Sequence, residues 1–343
     1  MPQKKYLNNV IFIRPLLIVL LVFYHSFAVY SGGWAPIEGF PEIRIYWFLD
    51  KLSYAFMLET FVFVSGYVFG YQVRTRGDDL LGIKSLFLSK FKRLIIPCIL
   101  FSFLYILLYL DINQPVCNTL YDVFNGVGHM WFLPMLFWCF IFVGIIEKIG
   151  ISPGWVLAFS LLLAIIPFPE IPLRIHSSFY YSPFFYSGFY IQSRNVSTDG
   201  LYKNSIAVAS SLLFFVLFII LTYVSMHASS LFGSDNSYIT KTVSNICRIT
   251  YSTIGLIMEL AIVGVLLSKK NVDPPSWLIE IGSLCFGVYL FQQFIIVAFY
   301  NYSTLPEVLG CYWLPWVVFF ITLVCSLLLS YSIRKTRLGR LVI

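Results

Sequence analysis

Arg14 and His25 stand ten residues apart in an otherwise apolar run, Arg14-Pro-Leu-Leu-Ile-Val-Leu-Leu-Val-Phe-Tyr-His25. On an α-helix, eleven steps of about 100° come to nearly three turns, so both side chains share one face about 16.5 Å apart along the axis. Imidazole takes and returns a proton near neutral pH, and guanidinium is a permanent cation. A shared face therefore offers a pathway along the helix for an anionic or proton-transferring chemistry. A plainer reading is equally open for either residue alone, with Arg14 reaching back to lipid headgroups and His25 hydrogen-bonded in a helix bundle.

Glu59 occurs in Met57-Leu-Glu-Thr-Phe-Val-Phe-Val-Ser-Gly-Tyr67. An unpaired carboxylate in such an apolar stretch is either protonated or strongly destabilising. The expected partner is His25 or Arg14 on the adjacent helix; a protonated Glu59 bonded to backbone is the alternative. Glu259 is similar but has no motif around it. His129 lies in Gly126-Val-Gly-His-Met-Trp-Phe-Leu133, where histidine and Trp131 read first as interfacial aromatic-belt residues.

These residues must be held by membrane helices. Of 343 residues, 59% are hydrophobic and only 11% charged, too few to cover a water-facing surface. The expected fold is an all-α polytopic membrane protein with about ten transmembrane helices, over 10–30, 45–72, 94–110, 129–147, 155–168, 178–192, 205–228, 246–267, 278–300 and 312–332. The sixth run contains Pro183 and Gly188, which predicts a broken or tilted helix. The chain reads as one integral-membrane domain over 1–343, without internal repeat or soluble module.

Charge sets the expected orientation. With the N-terminus inside, Lys4, Lys5, Arg74, Arg76, Lys84, Lys90, Lys92, Arg93, Lys148, Arg194, Lys203, Lys269, Lys270, Arg334, Lys335, Arg337 and Arg340 fall on the inner side. Only Arg44, Lys51, Arg174, Lys241 and Arg248 fall towards the outside. The positive-inside rule then places both termini in the cytoplasm. Residues 74–93 form a basic cytoplasmic loop, and Lys84–Arg93 within it reads as an amphipathic helix at the inner surface. The net charge of +7 is spread between apolar runs rather than gathered in one stripe, so nucleic acid is not an expected partner. The cysteines have no metal-ligand spacing, and only Cys117 and Cys311 fall in or beside predicted external loops. No metal and no bound cofactor are expected. The N-terminal run carries no cleavage site, so Met1 is expected to stay.

Several segments together resemble the acyltransferase-3 family of membrane-bound acyltransferases, whose bacterial members O-acetylate cell-surface glycans. The Arg14-to-His25 spacing is similar to its first-span motif, and Phe61-Val-Phe-Val-Ser65-Gly-Tyr67 to its second. Lys90-Phe-Lys92-Arg93-Leu-Ile-Ile-Pro97 resembles its basic approach to the third span. His129-Met-Trp131-Phe-Leu133 and Ser283-Leu-Cys-Phe-Gly-Val-Tyr289-Leu-Phe-Gln292 resemble later motifs. The last one often ends in histidine; Gln292 hydrogen-bonds but carries no proton at neutral pH.

The resemblance implies acyl-CoA as co-substrate, with Arg14, Lys90, Lys92 and Arg93 suited to its phosphates. His25 would be the general base and Arg14 its companion at the reaction site. Glu59 stands where many relatives have another residue, often proline, so the resemblance assigns it no role; on its chemistry alone it would orient or charge the ring. His129, Trp131, Ser65, Tyr289 and Gln292 would support the acceptor, a surface or lipid-linked glycan, with Trp34, Trp131 and Tyr180 as stacking surfaces. The resemblance also implies a bacterial inner membrane. The competing class is a transporter or flippase of a lipid-linked sugar, which polar residues in spans and a broken sixth helix would suit.

Overall fold

The computed structural model describes residues 7–109, 116–232, 237–268, 274–336 and 339. Lys4, Lys5, Lys269, Lys270, Arg337 and Arg340 of the topology argument, and the side chain of Cys117, lie outside them.

Among the described residues every regular element is helical. The α-helices are α1 (Asn8–Phe27), α2 (Arg44–Tyr54), α3 (Met57–Arg76), α4 (Ile83–Lys90), α5 (Ile96–Tyr109), α6 (Val116–Asn125) and α7 (Phe132–Ile149). They continue with α8 (Pro153–Ile165), α9 (Ile175–Ser193), α10 (Asn204–Met226), α11 (Ala228–Leu231), α12 (Ser237–Ser268), α13 (Ser276–Asn301) and α14 (Leu305–Arg334).

Eight helical stretches among the described residues, not ten, are long and apolar enough to cross a membrane. The fifth and sixth expected runs correspond to α8 and α9. With 13 residues, α8 is about 20 Å long, short of a bilayer core of roughly 30 Å. The segment 74–93 contains the expected helix over Lys84–Arg93, seen as α4, which passes through one π-helical turn, Phe91–Ile95, straight into α5, while α3 runs to Arg76.

The expected break in the sixth run is also absent, because α9 is continuous across Pro183. A proline has no N–H for the carbonyl four residues back. Here that carbonyl, on Phe179, instead accepts from the Ser182 hydroxyl at 2.9 Å. A hydroxyl substitutes for the missing amide, which is how apolar surroundings tolerate proline in a helix.

The chain separates into two compact units. The first comprises residues 1–58, 201–210 and 255–343, and so holds α1, α2, α13, α14 and the C-terminal part of α12. Its core gathers Val29, Ile296, Tyr300, Leu314 and Val318, with Trp34 packed against them. The second comprises residues 59–200 and 211–254 and holds nearly all of α3, then α4 to α9. Within it α3 and α9 meet backbone to backbone. A Cβ added at Gly66 would lie 2.0 Å from the Phe185 carbonyl oxygen, and one at Gly188 2.1 Å from that of Phe63. Only hydrogen at those positions allows the approach, the small-residue device of helix pairs in lipid.

Candidate functional site

The first unit carries Arg14, His25, Tyr289 and Gln292. The buried stripe of α1 runs through Val10, Ile13, Leu17, Ile18, Leu21, Val22 and His25, a helical repeat that Arg14 flanks half-buried. Arg14 lies within electrostatic reach of Cys285 on α13. His25, in the last turn of α1, is 8% exposed, with its ring 6.2 Å from that of Trp34 and 5.0 Å from that of Tyr24.

The end of α1 is fixed by hydroxyl bonds to helix carbonyls. Pro315 leaves the Cys311 carbonyl without its helical donor, and the Tyr30 hydroxyl fills that place. Tyr46 donates to the Tyr312 carbonyl at 2.8 Å and accepts from Trp316 Nε1 at 3.1 Å. Tyr300 donates to the Ser26 carbonyl, next to His25. Four aromatic side chains thus tie α1, α2, α13 and α14 around the histidine, so its ring is held by packing on rigid elements.

Tyr289 is buried and stacked on Phe286. Gln292 is fully buried, and neither amide atom has a hydrogen-bond partner among the described residues. It lies one turn from Ile296 on the face that meets the Val29–Val318 core. A buried amide without partners is costly.

The second unit carries Glu59, Ser65, Lys90, Lys92, Arg93, His129 and Trp131. Glu59 is fully buried, and its carboxylate is held within this unit: Arg248 Nε donates to Oε1 at 2.9 Å and the Tyr180 hydroxyl at 3.2 Å. Arg248 also donates to the Tyr181 hydroxyl at 3.0 Å, with its guanidinium 5.1 Å from the Tyr180 ring centre. The partner of Glu59 shown here is therefore Arg248 of α12, where the sequence suggested His25 or Arg14. Trp131 joins this group through Tyr181, at 6.2 Å between rings.

His129 is buried in a 3-10 turn, Gly128–Trp131, that leads into α7. Gly126 has φ +82°, and a Cβ there would strike the Met130 backbone at 2.5 Å, so the turn can close only over glycine. The Asn125 side-chain oxygen accepts from the Leu173 amide at 2.6 Å, and the Asn125 carbonyl from Arg174 Nε at 3.2 Å. These bonds hold Leu173 and Arg174 at φ +59° and +55°, conformations that need such support in residues with a Cβ. Close by, the Ile171 amide donates to His176 Nδ1 at 3.0 Å; burial lowers the pKa of that imidazole and keeps it an acceptor.

The basic residues separate. The Lys90 ammonium sits 3.8 Å from the Phe140 ring centre and 5.1 Å from that of Phe69, a cation–π seat, whereas Lys92 and Arg93 are exposed. The Ser65 hydroxyl is bonded to its own helix, at the Phe61 carbonyl. A cavity of about 510 Å³ lies between α7, α8 and α9, but its lining, including Phe142, Phe159 and Phe179, contains no charged side chain.

Arg248 and Tyr181 are the residues that sequence reasoning missed. Arg248 was assigned to the outer flank of a span, yet it opens the run 246–267. An ionisable residue at such a position asks for a counter-charge, and Glu59 was in need of one.

Eight apolar helical stretches and polar side chains enclosed among them define a helical integral membrane protein. The model of a family described as an acyltransferase domain, acyltransferase family 3, matches residues 7–335, and the chain belongs to that family. No curated protein and no solved structure shows significant similarity to it.

Proposed function

We propose that the chain transfers an acyl group, acetyl in the first instance, from cytoplasmic acyl-CoA to a hydroxyl of a cell-surface or lipid-linked glycan in a bacterial inner membrane. The observation that carries this reading is His25, the basic side chain in the last turn of α1, enclosed beside Trp34 in a chain of an acyltransferase family. As base, its imidazole takes the proton of the acceptor hydroxyl while that oxygen attacks the thioester carbonyl. The C–O bond forms, the C–S bond breaks, and the CoA thiolate leaves with the proton. Arg14 supplies a fixed positive charge towards the donor. Lys92 and Arg93, exposed between α4 and α5, are suited to its phosphates. The charge asymmetry of the sequence assigns them to the cytoplasm.

The transporter reading drew on polar residues in spans and on a broken sixth helix; the first support stands, and the second does not, because α9 is continuous. The test uses membranes containing wild type or His25→Ala, incubated with labelled acetyl-CoA and a host glycan extract. Label in glycan with wild type alone is the expected result. No label with either protein, together with movement of a lipid-linked sugar across proteoliposomes, would overturn the proposal in favour of a transporter.

A further inference from the structure

The first unit buries a second acidic residue whose role the fold does not explain. Asp50 is fully buried, and neither carboxylate oxygen has a hydrogen-bond partner among the described residues. The Ser31 hydroxyl, which donates to the Ala28 carbonyl at 3.3 Å, is within weak hydrogen-bonding reach of this carboxylate and is the one hydroxyl that acts on it among the described residues. Glu59, also fully buried, accepts from Arg248 and Tyr180. A buried carboxylate held by no full hydrogen bond costs several kcal/mol, and such groups concentrate where chemistry uses them.

The register of α2 shows what Asp50 faces. Tyr46, Asp50 and Ser53 are its buried residues, a single stripe that Tyr54 flanks. One turn before Asp50, Tyr46 packs on Phe27 and Tyr30, with ring centres 5.1 Å apart in each case. One turn after it, Tyr54 stacks on Tyr24 at 4.4 Å. Asp50 is bracketed between these contacts and so faces the stretch Tyr24–Tyr30 of the first helix and its continuation. The side chains of that stretch with polar atoms are Tyr24, His25, Ser26 and Tyr30. Ser26 donates to the Val22 carbonyl and Tyr30 to that of Cys311. Tyr24 is stacked on Tyr54. His25 is the ionisable group at this level that can answer a carboxylate near neutral pH.

We propose that Asp50 is the positioning residue of His25, accepting from one ring nitrogen so that the other is presented to the acceptor hydroxyl. This deepens the acyl-transfer reading, in which His25 is the base, and takes from Glu59 the ring-orienting role suggested by sequence. A carboxylate in that place fixes the tautomer and stabilises the imidazolium formed as the proton is taken. The other titratable side chains that the described residues of this unit bring to this level are Tyr24, Tyr30, Tyr46, Tyr54, Tyr300 and Cys311, with Lys51, whose charge acts on Asp50.

The test reads His25 itself. Exchange of the imidazole C2 hydrogen for deuterium, followed by mass spectrometry from pH 5 to 9, gives a titration midpoint for each histidine of the full-length protein in nanodiscs, with exposed His227 as internal control. The wild-type midpoint of His25 is expected above the ordinary value of about 6.5. Asp50→Asn should lower it by about one pH unit or more, Asp50→Glu should keep most of the elevation, and His227 should not move. In the transfer assay, Asp50→Asn should shift the pH profile and reduce kcat more than it raises KM, with partial rescue by Asp50→Glu. A wild-type midpoint at or below the ordinary value overturns the proposal whether or not any variant folds, as does an unchanged midpoint in Asp50→Asn. Because this readout needs no substrate, its failure leaves acyl transfer standing, and absence of transfer by wild type leaves the Asp50–His25 result standing.

Discussion

Arg248 Nε lies 2.9 Å from Glu59 Oε1 across 189 residues of sequence, and the same guanidinium reaches the Tyr181 hydroxyl. The carboxylate is fully buried and the arginine side chain 27% exposed, so the pair is enclosed on its acidic side. Removing one member of a buried pair leaves the other uncompensated, while replacing both with apolar residues of similar volume is close to neutral. Arg248→Ala should therefore destabilise the protein by about 3 kcal/mol. Glu59→Leu combined with Arg248→Met should recover most of that loss. Thermal unfolding of the purified single and double variants in one detergent checks this; equal losses in the single and double variants would contradict it.

The helix crossing that carries Glu59 towards Tyr180 is set by glycine. Gly66 and Gly188 leave no room for a methyl group, since the obstructing atoms are backbone oxygens and cannot rotate away. Gly66→Ala and Gly188→Ala should each cost about 2 kcal/mol or more through forced helix separation. Gly154→Ala, at the open start of α8 where nothing lies within 4 Å, should change little. Midpoints of unfolding for the three variants give the comparison.

Much of the fold was legible because apolar runs of span length admit only helices. The features that failed were those in which one local signal stood for a spatial fact. Pro183 read as a break because the sequence does not show that the Ser182 hydroxyl turns onto the Phe179 carbonyl rather than outward. Within 74–93 the helix over Lys84–Arg93 was legible and is α4 with its π-turn; what the sequence did not show is that this turn carries the helix on into α5 without a break. Arg248 read as a topology marker, because its partner is on α3 and only the folded chain brings the two together. The first-span residues fared differently: Arg14 and His25 are placed by one helix, and the period of 3.6 predicts their common face.

The proline account gives its own prediction. If the Ser182 hydroxyl replaces a missing amide, Ser182→Ala should destabilise by about 1 kcal/mol. Pro183→Ala restores the amide, so the added cost of Ser182→Ala should largely vanish in that background. A double-mutant cycle on unfolding temperatures measures the coupling; additive effects would show that the hydroxyl is not serving that carbonyl.

Gln292 should separate stability from activity. Its amide is buried without partners among the described residues, so Gln292→Met, similar in volume, removes an unsatisfied group and should raise stability by about 1 kcal/mol. If the amide meets the acceptor or the acyl carbonyl during transfer, the same change should lower turnover about tenfold or more, the magnitude of a lost donor in a dry site. Unfolding temperature and labelled transfer on one preparation read both. A variant that is more stable and fully active would make Gln292 a bystander.

The basic residues before α5 divide by their surroundings, and their variants should divide the same way. Lys92 and Arg93 are exposed. If they meet donor phosphates, Lys92→Ala and Arg93→Ala should each raise the KM for acyl-CoA several-fold with kcat little changed, because they contribute binding common to ground and transition states. The effect should shrink as salt is raised, since exposed charges are screened over about 8 Å at physiological ionic strength. Lys90 is seated on Phe140 and Phe69, so Lys90→Met should act first on stability, by about 1 kcal/mol from the lost cation–π contact, and show no salt-dependent change in KM. Donor titrations at two ionic strengths, with unfolding temperatures for the same three variants, distinguish the roles. A salt-dependent KM effect at Lys90 equal to that at Arg93 would mean that its ammonium leaves the aromatic seat to meet the donor.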